Sequence, residues 1–231
     1  MAKEHRITGL GWPPARRLRM MRPDESAAAE RQQGEGGMNI DFNGGKWLNE
    51  PASWRVDDAA LTLTTGEKTD FWRETYYGFT RDSGHFLAFP TPESFTAQIR
   101  IQGEFRTLYD QAGLMVRLDE NRWVKTGVEF TDGEAFLSTV VTDGKSDWSV
   151  SQPFKELEDF HIRVTVLNGA LRIQASRDGS RWPLLRLAPF PAADRYDVGP
   201  TACTPERGGL EVRFSAFSIG PAVTTDLHDL S

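Results

Sequence analysis

From Met38 onward, apolar and polar residues alternate with a period of two in short runs cut by Gly, Pro, Asn and Asp. Such alternation marks strands with one buried face. It predicts strands near 46–49, 54–57, 60–65, 69–73, 85–89, 94–102, 107–118, 122–131, 134–142, 146–151, 160–168, 170–177, 181–188, 196–203 and 210–219. No segment carries an apolar stripe at helical spacing over three turns, and a single helical turn is expected at 153–159. Many short strands at regular spacing point to an all-β jelly-roll sandwich of two antiparallel sheets. With no repeat and no internal linker, one domain is expected over 38–222, followed by a C-terminal tail at 223–231.

The turns set register between 109 and 149. Asp132-Gly133 and Asp143-Gly144 are strong hairpin signals, and Asp119-Glu120-Asn121 reads as a three-residue loop. Counting outward places Arg117 opposite Trp123, Met115 opposite Lys125, Gly113 opposite Gly127, and Gln111 opposite Glu129. The second hairpin sets Glu129 against Phe136, Gly127 against Ser138, Lys125 against Val140 and Trp123 against Thr142. One sheet face is therefore apolar, while the other carries Gln111, Arg117, Trp123, Lys125, Glu129 and Ser138 around two adjacent glycines. Interior glycines mark a close approach of a ligand or of another backbone. At Asp143-Gly144 the count branches. A two- or four-residue loop brings Asp147 to the Lys125 face, whereas a three-residue loop brings Trp148, because one residue of slip inverts every side chain.

The later hairpins are plainer. Asn168-Gly169 pairs Val166 with Leu171, Val164 with Ile173 and Ile162 with Ala175, leaving Arg163, Thr165, Arg172 and Gln174 as an outward, solvent-facing set. Asp178-Gly179 then brings Trp182 over Ala175 and Leu184 over Ile173, both as core. One sheet is bland outside and the other chemically loaded, the asymmetry expected of a sandwich with a concave binding sheet.

Charge narrows the partners. A net charge of −6 and a pI near 5.3 argue against a nucleic-acid or anionic-membrane partner. No run of 18 apolar residues and no Asn-x-Ser/Thr sequon occurs, so a cytoplasmic home is expected. The single Cys203 excludes an internal disulfide and reads as a small buried hydrophobe. The four histidines are scattered, and no phosphate loop or acidic calcium loop is visible, so neither metal nor cofactor is expected. Residues 1–37 hold seven Lys/Arg and five Asp/Glu with almost no apolar period. They are expected to be a disordered tail without a secretory signal, with Met38 as the natural start.

The motifs Thr69-Asp70-Phe71-Trp72, Tyr109-Asp110-Gln111-Ala112-Gly113-Leu114, Trp123-Val124-Lys125, Gly127-Val128-Glu129 and Ser146-Asp147-Trp148-Ser149 resemble the regulation-of-enolase-type proteins. The resemblance continues through Ser176-x-Asp178-Gly179-x-x-Trp182 and Tyr196-x-Val198-Gly199 to Cys203-x-Pro205, so that it spans about Asn39 to Ile219. It implies a concanavalin A-like sandwich with a concave groove and hands over no reaction.

The chemistry that remains is recognition. Gln111, Lys125, Glu129 and Asp147 offer donors and acceptors to hydroxyl groups, with Trp123, Trp72 or Trp148 as stacking platforms and Asp70 at the groove or in a turn. If this face binds a ligand, Lys125→Ala and Glu129→Ala are expected to leave the melting temperature nearly unchanged; the alternative is an ion-paired polar face covered by a loop, where both changes would destabilise the fold. A carbohydrate or similar polar small molecule is the expected ligand. A regulatory protein–protein interaction module is the alternative, and a glycoside-acting enzyme a weaker one. Glycoside hydrolysis needs carboxyl groups about 5–5.5 Å or about 6.5–9.5 Å apart. Glu129 and Asp147 fall roughly 16 Å apart on strand spacings of about 3.3 Å per residue and about 4.8 Å between strands.

Overall fold

The computed structural model describes residues 37–152 and 154–231. The expected tail at 1–37 lies outside the described residues except for Gly37.

Two antiparallel sheets face each other. The first follows the order β15 (Leu184–Pro189), β14 (Ala170–Ser176), β13 (Asp159–Leu167), β8 (Phe95–Gly103), β17 (Glu211–Gly220), β4 (Ala60–Thr64) and β3 (Ser53–Asp57), with β1 (Met38–Asn39) added on β17. The second follows β12 (Lys145–Ser151), β11 (Glu134–Asp143), β10 (Arg122–Thr131), β9 (Gln111–Arg117), β16 (Arg195–Cys203), β7 (His85–Pro92) and β2 (Lys46–Leu48). A separate hairpin pairs β5 (Phe71–Arg73) with β6 (Thr80–Asp82). This is the jelly-roll sandwich that the alternation predicts. The two short strands β1 and β6 were not among those expected. No helical turn forms between 154 and 159, and one 3-10 turn at Phe42–Gly44 is the helical element among the described residues.

The turns explain the register. Asp132-Gly133 and Asn168-Gly169 both hold positive φ at two successive residues, the type I′ geometry whose twist matches paired strands. Gln111↔Glu129, Gly113↔Gly127, Met115↔Lys125 and Arg117↔Trp123 pair as counted, and so do Glu129↔Phe136, Gly127↔Ser138 and Lys125↔Val140. The inner faces interdigitate in one core, where Ile99, Ile101, Leu114, Val116, Val124, Leu137, Ile162 and Phe214 are almost wholly buried.

Three expectations about the first sheet fail. Its outward row is not solvent-facing: Thr165, Arg172 and Gln174 are buried. Residues 221–231 lie across them, and the Arg172 guanidinium donates to the carbonyls of Thr225, Asp226 and Asp229 at 3.1–3.4 Å. Trp182 is buried on this outer side rather than in the core, beneath the Arg163 guanidinium at 3.9 Å from its ring. Leu184 pairs with Gln174 instead of Ile173, because β14 and β15 shift register between Ile173 and Gln174. Alternation tells which face a residue takes but not what covers that face.

Candidate functional site

The outer face of the second sheet has two halves. At one end Trp123 and Met115 are covered by Phe71 and Trp72 of the β5–β6 hairpin, with Phe86, Val140 and Cys203 completing a second apolar cluster. Trp123 is fully buried, its ring centroid 6.0 Å from that of Phe71, so it cannot serve as a stacking platform. Arg117 is tied off beside it by a bidentate pair with Asp82 at 2.9 Å.

At the other end the face opens into a cavity of about 300 Å³. It is lined by six of the residues singled out from the sequence: Asp70, Trp72, Gln111, Lys125, Glu129 and Trp148. Asp147 is absent from it. Asp143 pairs with Lys145 around Gly144, so Thr142 faces Ser146, Val140 faces Trp148 and Val141 faces Asp147. The three-residue branch of the count is the one adopted. Asp147 therefore points to the opposite side, where Arg186 of β15 bonds it at 2.8 Å and Ser149 Oγ at 2.5 Å.

The floor is a chain of polar contacts. Lys125 Nζ donates to Asp70 Oδ1 at 2.9 Å and to Gln111 Oε1 at 2.7 Å. Asp70 also shapes its own turn, accepting from Phe71 N at 2.8 Å, so its turn role and its groove role coexist. Trp148 Nε1 donates to Ser138 Oγ at 3.1 Å, and Ser138 donates to Glu129 Oε2 at 2.6 Å. Burial disfavours the charge on Lys125, yet the attraction of its neighbours, Asp70 first and then Cys203 and Glu129, outweighs it and holds the ammonium above the ordinary lysine range. Burial pushes the Glu129 carboxyl above its usual value against the opposing pull of Lys125 and Ser138. Burial also raises the Cys203 thiol to about 12, the behaviour of an inert buried cysteine.

Lys125 and Glu129 are thus both buried and bonded within the polar network of the floor, which agrees with the ion-paired reading of this face, so neither is a clean test of ligand binding. Removing Lys125 from its pair with Asp70 would cost about 3–5 kcal/mol, while Glu129 is held by Ser138 and not by an ion pair. Beside the network, Gly113 and Gly127 contact each other's strands: a Cβ on Gly113 would lie 1.9 Å from Thr126 O, and one on Gly127 2.0 Å from Ala112 O. The glycine pair serves the approach of two backbones, and only a hollow of about 20 Å³ sits above it, room for one water.

The rim comes from loops that strand counting does not reach. Tyr77 and Phe79 stand on the β5–β6 loop, Tyr109 precedes β9, and Pro205 and Glu206 follow β16. The Tyr77 and Tyr109 hydroxyls lie 3.2 Å apart, and that bond together with burial raises the Tyr109 phenol to about 12. Asp110 is fully buried. Its carboxylate takes Arg106 N and Thr107 N at 3.0 Å and the Arg207 guanidinium at 2.6–2.8 Å, which ties the Tyr109 loop to the Glu206 loop. Tyr109, Asp110 and Pro205 stand in the family motifs, so a signal for them exists. Tyr77, Phe79 and Glu206 have none.

Fold and site together define a jelly-roll β-sandwich protein with a polar, aromatic-walled cavity on the outer face of its second sheet. The chain belongs to the family described as "Protein of unknown function (DUF1349)", which it matches over residues 47–222. It is 57% identical over 193 residues to "Regulation of enolase protein 1" of Saccharomyces cerevisiae, covering 84% of this chain and 98% of that one. A crystal structure of a functionally unknown Saccharomyces cerevisiae protein superposes with a TM-score of 0.78 at 56% identity, over 80% of this chain and all of the other. A GH43 protein of Bacillus licheniformis aligns with a TM-score of 0.58 at 13% identity, over 78% of this chain but 38% of its own, a likeness of fold alone. Among the described residues no helix is long and apolar enough to cross a membrane.

Proposed function

We propose that the protein is a recognition protein whose cavity binds a carbohydrate or a similar polar small molecule. The observation that carries this reading is a buried polar floor beneath an aromatic wall. Gln111, Lys125 and Glu129 present donors and acceptors at the base of a cavity of about 300 Å³, while Trp148 remains 36% exposed at its edge. Sites for small ligands combine apolar walls with a few placed polar groups in this size range. Trp148 is the residue to test, because it sits on an edge strand and its removal leaves the Lys125–Asp70 pair intact. On a glycan array and a metabolite panel, Trp148→Ala is expected to lose binding by about tenfold or more with the melting temperature nearly unchanged. Full binding by that variant would sink the reading.

A second reading, docking onto another protein, draws on the name of the Saccharomyces relative and on one surface feature. Tyr76 is 94% exposed at the tip of the β5–β6 loop, beside the partly exposed Tyr77 and Phe79. Purified enolase as bait separates the readings: retention that Tyr76→Ser abolishes and free sugars do not compete would favour docking.

A further inference from the structure

The charges of the cavity point to an occupant more specific than a neutral polyol. Asp70, Glu129 and Glu206 line it with carboxylates, and Lys125 supplies its one ammonium. Lys125 is already matched at 2.9 Å by Asp70. Among the described residues no cationic side chain lies within ion-pair distance of Glu129 or of Glu206. Glu129 is only 4% exposed, and while its Oε2 accepts from Ser138, its Oε1 receives no donor among the described residues. A sugar hydroxyl bonded to that oxygen would leave the carboxylate balanced only by the more distant Lys125, whereas an ammonium would neutralise it directly.

The walls agree with the floor. Trp72 meets Tyr77 edge-on at 5.7 Å, Tyr109 meets Trp148 edge-on at 6.5 Å, and the Tyr77–Tyr109 hydroxyl contact joins the two pairs. Phe79 stacks on Tyr77 and carries the Arg81 guanidinium 4.8 Å from its centroid, so this run of rings already holds one cation on its outside. Aromatic faces attract cations through their quadrupole, most strongly where water is excluded.

We propose that the cavity binds an organic ammonium ion, its charged nitrogen among Trp72, Tyr77, Tyr109 and Trp148 and against the open oxygen of Glu129. The proposal rests on the cavity being a recognition site and names the charge of its ligand. A hydroxylated ammonium would use Gln111 and Lys125 as well.

Calorimetric titration of the full chain with matched probes tests it: choline against its neutral isostere 3,3-dimethyl-1-butanol, and glucosamine against glucose. In at least one pair the ammonium member is expected to bind about tenfold or more tightly than its isostere. Glu129→Gln, which keeps shape and removes charge, is expected to abolish that preference. Glu206→Gln, at the exposed rim, is expected to weaken it and serves if the first variant does not fold. Equal affinity within both pairs, or a preference that both variants retain, overturns the proposal. Binding of glucose without any ammonium probe overturns it while leaving the recognition reading intact. No binding by any of the four probes overturns it too, and the glycan and metabolite panels then decide the recognition reading separately.

Discussion

Glycines in this chain follow two different physical demands, and substitution can tell them apart. At Gly133 the backbone has φ +83, and a Cβ would meet nothing within 4 Å. Its requirement is conformational, and Gly133→Ala is expected to cost about 1–2 kcal/mol, the penalty of a left-handed conformation. At Gly113 the obstacle is the Thr126 carbonyl oxygen, 1.9 Å from the added carbon in an adjoining strand. That oxygen cannot swing aside as a side chain would, so β9 and β10 must separate. Gly113→Ala is expected to exceed the Gly133→Ala cost, at about 3 kcal/mol or more. Urea unfolding of both variants checks the order, and equal losses would mean that the strand pair yields more easily than its geometry indicates. The same residue scale shows what the sequence could carry. The glycine pair, Lys125, Glu129 and Gln111 were legible because they lie on strands whose register turns fix. Which of Asp147 and Trp148 joins them was not, since it depends on one residue of loop length at Gly144.

Among the elements, β7 is joined to the loops on either side of it through a single ring. His85 Nδ1 lies 2.6 Å from Asn49 O, after β2, and Gly66 N donates to its Nε2 at 2.9 Å, after β4. A carbonyl can only accept and an amide N–H only donate, so the ring is neutral with its proton on Nδ1. Protonation would set N–H against N–H and loosen the 66–70 segment that delivers Asp70 to the cavity. Burial, against the Asn49 bond, holds the His85 pKa below its ordinary value. The folded state then binds fewer protons than the unfolded one between the two pKa values. The stability due to His85 is complete above about pH 6.5 and is lost as pH falls below it toward the folded pKa. His161, whose pKa is also lowered by burial, acts in the same direction, while the raised Glu129 acts oppositely as pH rises from 4.5. Comparing wild type with His85→Gln cancels both. The wild type is expected to lose more stability than the variant between pH 7 and pH 5.5 in urea titrations, and parallel curves would refute the role of the ring. Strand positions in the sequence announce β7 but not this tie, because its partners stand 36 and 19 residues away.

At the scale of the whole molecule, each sheet has one inner face on the shared core and one outer face covered in its own way. The second sheet is roofed at one end of its strands by the β5–β6 hairpin and hollowed at the other. The first is overlaid by residues 221–231, an arrangement invisible to alternation because a row of Arg, Thr and Gln reads as solvent chemistry. The overlay is specific: besides the three carbonyls on Arg172, Trp182 N donates to Leu230 O at 2.9 Å and Val223 N to Thr96 Oγ1 at 2.8 Å. Removing residues 224–231 would expose Arg172, Gln174 and Trp182 together. The loss of indole burial and of the hydrogen bonds is expected to cost about 2–4 kcal/mol. It would fall on the side of the sandwich away from the cavity. The urea midpoint should therefore drop and the Trp182 indole N–H resonance shift, while the Trp148 indole resonance, bonded to Ser138 on the other sheet, should stay in place. A shift of both would show that the C-terminal overlay and the cavity are coupled through the core, and an unmoved midpoint would show that the segment contributes nothing to holding the first sheet together.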